Sequence, residues 1–435
     1  MAETLPTTWR QSKLGAISAI RYGLGVPPAL CENGIPMIRA TNIKRGRIVS
    51  TGLLKLCPDT IPSGRNATLT SGEIIVVRSG AYTGDSALVT SEWAGAVVGY
   101  DLVVTPAADI DSRFLALWLL GESAHGYFRG QRDRSAQPHL NRQQLADAEL
   151  VLPPLDEQRK IAAVLSAVQR AIERQERLIA LTAELKKALM HKFFTEGTRG
   201  ETKTQPTRFG VAPASWQIRA LGDCAFVQTG VAKGRKIESG EAIELPYLRV
   251  ANVQDGRLDL REMKTITIRE REISRYLLRA GDVVLTEGGD LDKLGRGFIW
   301  REEISLCVHQ NHVFAVRPDR STLSSEFLAY QIQSPYGKKY FLSVAHKTTN
   351  LACINTSKLK ALPVLLPSPD EQDDIVKTLQ AVDARHDVAQ RSIKCLRTLF
   401  ANLLHQLMTA QIRVHDLDLS AVDELEETAQ PVGAA

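Results

Sequence analysis

The sequence predicts an α+β protein: two globular mixed α/β domains are joined by two long helices that form an antiparallel coiled coil, as an internal repeat with an approximate two-fold axis. Three observations support this prediction. The chain of 435 residues is too long for one ordinary domain. A set of sequence blocks occurs twice in the same order. Each set ends in a long segment with heptad spacing and no internal Gly or Pro.

The composition is that of a globular protein. Hydrophobic residues make up 44% of the chain and charged residues 24%, and no apolar run approaches the roughly 20 residues that a membrane span needs. The polar N-terminus lacks a signal-peptide apolar region, so we expect a cytoplasmic protein. The six cysteines are scattered without C-x-x-C pairs, which predicts reduced thiols and no metal site.

The charge is unevenly distributed along the chain. The net charge is +5, but the last twenty residues hold six acidic residues and no Lys or Arg, so the rest carries +11. A basic body of this kind permits a nucleic-acid partner, although such a charge also occurs where it serves solubility alone. We expect the acidic tail, residues 413–435, to be disordered.

The repeated blocks begin at the start of each half. Both halves open with Pro-x-x-Trp, followed five residues later by Leu-Gly. A Gly-acid turn then leads into a short β-branched run, which predicts a buried strand, and a later Ser-x-Phe-Leu-Ala block predicts a helix start. The shared blocks include IPMIRATNIKRGRI (35–48) with LPYLRVANVQDGRL (245–258), LTSGEIIVVRSGA (69–81) with LLRAGDVVLTEGGD (277–290), and SRFLAL (112–117) with SEFLAY (325–330).

The long helices follow a motif that is also repeated, LPPLDEQRKIAAVLSAV (152–168) and LPSPDEQDDIVKTLQAV (366–382). Proline and acidic residues in the first turn favour a helix start, and Ser368 and Glu371 have capping-box spacing. Nearly 40 residues without a breaker would reach about 60 Å. The predicted seam residues are Ile161, Leu165, Val168, Ile172, Ile179 and Leu189, with Ile375, Leu379, Val382, His386, Ile393, Leu396, Phe400, Leu403 and Leu407.

Helices of this length need a partner of matching period, which the other copy supplies. Antiparallel pairing would place the two domains at opposite ends of a rod. Polar seam residues such as Thr182, Lys186 and His386 weaken the pattern but can also set register, and separate packing of each helix with another protein stays open. The predicted ranges are a first domain 1–152, a helix 153–195, a connector 196–213, a second domain 214–366, a helix 367–412 and the tail.

No catalytic motif is evident in the sequence. It lacks a phosphate loop, an H-x-E or H-E-x-x-H zinc signature, a G-x-S-x-G elbow and the N-P-P-[YF] segment of an adenine methyltransferase. The histidines are dispersed. We therefore interpret the chain as a binding module without catalysis of its own.

The quoted motifs resemble those of one known family. The doubled L-P-x-x-D-E-Q helix entry, the two Pro-x-x-Trp starts, FFTEGTRGE (193–201) and LLHQLMTAQIRV (403–414) follow the order seen in specificity subunits of type I restriction-modification systems, over nearly the whole chain. The segment TAEL (182–185) also looks like a unit that some members repeat to lengthen the spacer. The tail beyond Val414 departs from the family's usual end.

The resemblance implies two target-recognition domains, each of which reads one half of an asymmetric bipartite site in double-stranded DNA, with the helices fixing the gap. It also implies two methyltransferase (modification) subunits as partners, which would bring S-adenosylmethionine and extrude the target adenine, and restriction subunits with translocase and nuclease activity. No cofactor is expected in this chain. Two alternatives stay open: a coiled-coil adaptor with two protein-binding heads, and a self-sufficient methyltransferase or nuclease.

Candidate DNA-binding residues are polar side chains of the types that contact bases and phosphates. Residues common to both halves are better explained as structural or phosphate-binding, and base-reading residues should lie where the halves differ. The candidates are Arg39, Asn42, Lys44, Arg45, Arg47, Arg78, Ser79 and Gln137 in the first domain and Arg249, Asn252, Arg257, Thr286, Lys293, Arg296, Lys347 and Asn350 in the second.

Overall fold

The computed structural model describes residues 6–62, 67–132, 139–234, 237, 241–289, 294–347 and 352–417. The chain divides into two compact units. The first contains Met1–Glu176 and Arg391–Ala435, and the second contains Arg177–Gln390. Each unit therefore holds one mixed α/β domain together with part of each long helix.

The first unit is built on a four-stranded antiparallel sheet, a three-stranded mixed sheet, a strand pair that ends the domain, and a short hairpin. Across the four-stranded sheet the strands are Ser18–Tyr22, Leu102–Pro106, Ile74–Val76 and Ser86–Leu88, and across the three-stranded sheet Leu54–Leu56, Leu30–Ile38 and Val97–Val98. The strand pair is Arg10–Lys13 with Glu149–Leu152, and the hairpin is Ile43–Lys44 with Arg47–Ile48. The helices are Leu14–Ile17, Ser112–Leu120, Glu122–Arg132 and Arg142–Ala146, with 3-10 turns at Ala40–Asn42, Pro58–Thr60, Ser91–Trp93 and Val414–Asp416.

The second unit repeats these sheets in the same order and adds two small ones. Its strands are Ala225–Thr229, Val313–Pro318, Val283–Thr286 and Gly297–Ile299; Lys264–Arg269, Ala242–Leu248 and Val308–His309; Gln217–Ala220 and Pro363–Leu366; Val253–Gln254 and Arg257–Leu258; Gly288–Gly289, Ala352–Cys353 and His346–Lys347; Thr204–Thr207 and Gly210–Pro213. The helices are Leu221–Cys224, Ile273–Tyr276, Ser325–Gln333, Pro335–Val344 and Thr356–Lys360, with 3-10 turns at Val250–Asn252 and Glu270–Glu272.

The internal repeat is thus confirmed at the level of strand order, and the Gly-acid turn shows why its sequence recurs. Glu73 in the first unit is buried and accepts hydrogen bonds from the Arg21 guanidinium and the Thr70 amide. Asp282 takes the same place in the second unit, where Arg317 donates two bonds of 2.7 and 2.8 Å. A buried carboxylate needs such a partner, so the acid belongs to the scaffold.

The two long helices are continuous over Leu155–Glu196 and Pro369–Met408. The first ends at Gly197, whose positive φ of 68° is typical of a helix C-terminus. The second ends four residues before the predicted position, 412, because Ala410 also adopts a positive φ of 61° and turns the chain out of the helix. Both helices cross from one compact unit into the other along the chain.

The repeated Glu-Gln pair at the first helix start joins the helix to its domain. The Glu157 carboxylate is buried and accepts a hydrogen bond from Trp9 Nε1 at 3.0 Å. The Gln158 side chain accepts from the Asp111 amide at 3.0 Å and donates to the Pro153 carbonyl. These bonds satisfy polar groups that would otherwise be buried without partners, which explains why Trp, Glu and Gln recur together.

The second helix start uses the same residues with one difference. Glu371 accepts from Trp216 Nε1 at 3.1 Å and from the Thr198 amide at 2.9 Å, and Gln372 accepts from the Ser324 amide. Ser368 Oγ accepts from the Glu371 amide at 3.4 Å. The Glu371 carboxylate is thus engaged by Trp216 and Thr198, and the reciprocal half of the predicted capping box is not found among the described contacts.

The long helices run antiparallel within each unit. In the first unit Glu157 near the start of one helix meets Arg413 beyond the end of the other, and Glu176 meets Arg397. In the second unit Thr182 of the first helix contacts His386 of the second, and Lys186 lies 3.0 Å from Asp383. Rising numbers on one helix pair with falling numbers on the other, so the antiparallel coiled coil is confirmed.

Every predicted seam residue is buried or half-buried, and polar seam residues find partners. Thr182 Oγ1 lies 2.9 Å from His386 Nδ1, and Asp383 also accepts from the Tyr330 hydroxyl at 2.8 Å. Leu404, which was not predicted, is buried beside the half-buried Leu403. Of the predicted seam, Ile161, Leu165, Ile375, Leu379, Val382, Ile393 and Leu407 are buried and Val168, Ile172, Ile179, Leu189, His386, Leu396, Phe400 and Leu403 are half-buried.

Two stretches differ from expectation. The predicted connector 196–213 contains a hairpin, Thr204–Thr207 with Gly210–Pro213, because Gln205 donates from its side chain to the Pro213 and Trp216 carbonyls. The predicted disordered tail begins too early, since Val414 is buried in the first unit; the rest of the tail, from 418, lies outside the described residues. Among described residues no helix has the length and apolarity to cross a membrane.

Candidate nucleic-acid interface

Asn42 is a buried support of the first domain. Its Oδ1 accepts from the Arg39 amide at 3.2 Å, and its Nδ2 donates to the carbonyls of Val49 and Thr51, both at 3.1 Å. The residue has no exposed surface. Both amide hydrogens are engaged within the loop, so Asn42 acts as a structural support here, and its contact with DNA stays a prediction. Arg39 is held to the same loop by its bond to the Gly52 carbonyl at 2.8 Å.

The second domain repeats this arrangement. Asn252 accepts from the Arg249 amide at 3.0 Å and donates to the carbonyls of Asp259 and Glu262. Arg249 donates to the Glu262 carbonyl at 2.7 Å. Asn252 is therefore also a structural support, and its predicted contact with DNA stays a prediction. The Arg-x-x-Asn signal shared by the halves therefore marks a loop support that recurs in both domains.

The hairpin turn that follows Asn42 in the first domain faces the long helices. Arg47 forms ion pairs with Glu173 at 3.2 Å and Glu176 at 2.7 Å, and Arg45 approaches Glu176 at 3.8 Å. Burial alone would raise the pKa of Glu176, but hydrogen bonds from Arg47 and Arg397 hold that pKa below its ordinary value. Arg47 therefore supports the helix contact and is a poor candidate for DNA, whereas Lys44 stays exposed.

Arg78 lies in a separate group beyond the end of the interior strand Ile74–Val76 of the four-stranded sheet. Its guanidinium carbon is 4.7 Å from the centre of the Tyr22 ring and 4.2 Å from that of Tyr100, and its terminal nitrogen is 2.7 Å from His139 Nε2. Burial and the charge of Arg78 lower the pKa of His139. Because a guanidinium can only donate, His139 Nε2 accepts this hydrogen bond. Ser79 pairs through its backbone with His139 in the same group.

The second-domain candidates do not gather at one place in the described residues. Thr286 is buried in the strand Val283–Thr286, and Arg296 is half-buried. Arg257 is exposed and lines a cavity of about 710 Å³ together with Asp383 and Asp387. Lys347 is described only in its backbone, within His346–Lys347. Gln137, Lys293 and Asn350 lie outside the described residues.

The structure adds an acidic candidate that was not predicted. Glu287 Oε2 lies 2.6 Å from His312 Nδ1, and the Glu287 side chain is 28% exposed. Glu287 follows Thr286 at the end of its strand, as Arg78 follows Val77. The blocks 69–81 and 277–290 already align an acid with Arg78, but the list of candidates included basic and neutral polar residues and no acidic ones.

The fold and these sites define a duplicated recognition protein, with two copies of one scaffold carrying different side chains at matching places. The family model for the type I restriction modification DNA specificity domain matches residues 6–183 and again residues 213–396. The chain therefore belongs to the family of type I restriction-modification specificity subunits.

Individual relatives agree with this assignment. The type I restriction enzyme MjaVIII specificity subunit of Methanocaldococcus jannaschii is 22% identical over 433 residues, which cover 95% of each chain. The putative MjaX specificity subunit of the same organism is 24% identical over 231 residues, so that this chain spans about half of its length (53%). The crystal structure of an S subunit from M. genitalium shares the fold, with a TM-score of 0.59 at 14% identity over 94% of this chain and 98% of that one.

Proposed function

We propose that this chain is the non-catalytic subunit that gives a type I restriction-modification complex its DNA sequence specificity, with each domain reading one half of an asymmetric bipartite site. One observation carries the proposal. The residues that recur in both halves, such as Asn42 with Asn252 and Glu73 with Asp282, make internal bonds. The matched positions Arg78 and Glu287, by contrast, carry opposite charges. A shared frame with unlike surfaces suits two different half-sites.

The same proposal assigns the partners. Two methyltransferase subunits would dock on this chain and supply S-adenosylmethionine and the pocket for an extruded adenine, and restriction subunits would add translocation and cleavage. The relatives support this because their names are those of specificity subunits of type I restriction enzymes. Under this proposal the chain's own task is to position its partners, and no residue of it takes part in bond making.

Exchange of the first domain tests the half-site proposal. Residues 1–152 should be replaced by those of another family member, since the strand Glu149–Leu152 pairs with Arg10–Lys13 and must move with it. We expect methylome sequencing of the assembled complex to show one changed half-site and one unchanged half-site. A change in both halves would contradict the proposal, and absence of salt-dependent DNA affinity in the complex would favour the protein-binding adaptor.

A four-residue insertion tests whether the helices set the gap between half-sites. Four residues added between Ala180 and Leu185 would extend the helix by about 6 Å and rotate it by only about 40°, so that the seam stays nearly in phase. We expect a wider gap and unchanged half-sites in the methylome. A substitution of Ala183, which is exposed, by Glu serves as the control without added length. A gap of unaltered width would exclude the spacing role.

A further inference from the structure

Arg78 and Glu287 occupy the same position of the repeated scaffold. In the first unit Val76 pairs with Leu102, and in the second unit Leu285 pairs with Phe314. Two residues beyond Val76 and Leu285 are Arg78 and Glu287, whose carbonyls accept from the amides of Leu140 and Ile354, respectively. The two positions therefore share the strand register and the carbonyl bond. Their amides differ in partner, because the Arg78 amide donates to the Asp101 carboxylate and the Glu287 amide to the His312 carbonyl, and their side chains have opposite charge.

The neighbours across the sheet are matched as well. Tyr100 precedes Leu102 by two residues, as His312 precedes Phe314. The Arg78 guanidinium stacks on the Tyr100 ring, and the Glu287 carboxylate bonds to the His312 ring. Each unit therefore carries one charged side chain oriented by a ring from the neighbouring strand, with a cation in the first unit and an anion in the second.

Both side chains are held in place and remain accessible. Tyr22 and Tyr100, which flank Arg78, are 42% and 48% exposed, so the stacked group reaches the surface. His139 accepts a hydrogen bond from one guanidinium nitrogen of Arg78, and this bond fixes the orientation of the guanidinium group. An arginine restrained in this way loses little further conformational freedom when it binds. His312 performs the same orienting role for Glu287, one of whose oxygens it engages.

We propose, building on the function proposed above, that this position reads one base pair in each half-site, with Arg78 donating to guanine and Glu287 accepting from the amino group of cytosine. Guanine presents two acceptors, O6 and N7, that match an arginine fork, and cytosine presents the N4 amino donor that a carboxylate accepts. A carboxylate repels phosphate, so Glu287 is unsuited to backbone contact. The charge reversal on one scaffold thus distinguishes the two half-sites.

The test uses the full chain assembled with its methyltransferase partners and reads the methylated sequences. We expect Arg78→Gln to weaken methylation of the original site on the order of tenfold to a hundredfold and to shift one base of the first half-site from guanine towards adenine, which a glutamine amide recognises. Arg78→Lys keeps the charge but loses the fork, and should also relax that base. Glu287→Gln should alter one base of the second half-site only.

Arg10→Gln is the matched control, because Arg10 is an exposed arginine of the first unit that lies in the strand Arg10–Lys13, away in sequence from Arg78. We expect the methylome of this variant to be unchanged. A uniform loss of methylation over all sequences in the Arg78 variants would indicate a phosphate contact and overturn the inference. Unchanged bases in all three variants, with the wild-type bipartite site intact, would overturn this inference alone. A wild-type complex that modifies no bipartite site would overturn the proposed function with it.

Discussion

Truncation of the chain after Met408 is expected to unfold the first compact unit, and truncation after Leu417 is expected to leave it folded. The segment between these ends contributes Val414 to the hydrophobic core, which stabilises by about 2 kcal/mol. It also contributes Arg413, which donates to both oxygens of the Glu157 carboxylate at 2.9 and 3.0 Å. Loss of a buried ion-pair partner costs about 3 kcal/mol, and the Glu157 side chain is only 3% exposed.

Together these losses approach the stability of a typical domain, about 5–15 kcal/mol. Hydrogen exchange resolved by peptide should show lost protection in the first sheet, around Ile74–Val76, while the second-unit strand Val283–Thr286 stays protected. Arg413→Met should reproduce part of the effect. Arg199→Met is the matched control, because the exposed Arg199 holds the corresponding repeat position but Thr198 occupies the site on Glu371. Full protection after the shorter truncation would disprove the role of this segment.

The sequence predicted the helices well because their determinants are local. A heptad pattern without Gly or Pro requires a long helix, and duplication makes an antiparallel partner available. Leu404 escaped prediction because the end of the second helix packs on the first domain's core as well as on the other helix, so its buried face is wider than a two-position seam. The hairpin in the connector is held by Gln205, whose side chain donates to the Pro213 and Trp216 carbonyls of the second Pro-x-x-Trp motif. The first half has no matching hairpin before its motif among the described residues, so comparison of the halves did not predict it.

The DNA-binding site was harder to predict, because the residue type does not reveal whether a side chain bonds within the protein or remains available to DNA. Asn42 and Arg78 are both suitable for DNA by chemistry, yet Asn42 is engaged by its own loop while Arg78 lies between two exposed rings. Comparison of the two halves separates them, because Asn42 aligns with an identical residue, Asn252, whereas Arg78 aligns with Glu287. Comparison of the two halves therefore identifies structural polar residues, and the structure is needed to show which of the remaining residues are held at the surface.

Asn42→Ala is expected to destabilise the first unit by about 3 kcal/mol without changing the bases that the complex recognises. The substitution leaves the Arg39 amide and the Val49 and Thr51 carbonyls without their partner, and each buried group left unsatisfied costs about 1–3 kcal/mol, with partial relief where water can enter. Asn252→Ala should act equally on the second unit. Denaturant unfolding gives the free-energy change, and methylome sequencing below the unfolding transition gives the specificity.

Lys44→Ala separates the two roles, since Lys44 lies two residues from Asn42 and is exposed. Surface substitutions usually change stability by less than about 0.5 kcal/mol, so this variant should unfold as the wild type does. If Lys44 neutralises a phosphate, its loss weakens DNA binding evenly across sequences. It also reduces the slope of log binding constant against log salt concentration by about one. An Asn42→Ala protein of wild-type stability with an altered recognition sequence would instead place Asn42 at the DNA, and would require the loop to open on binding.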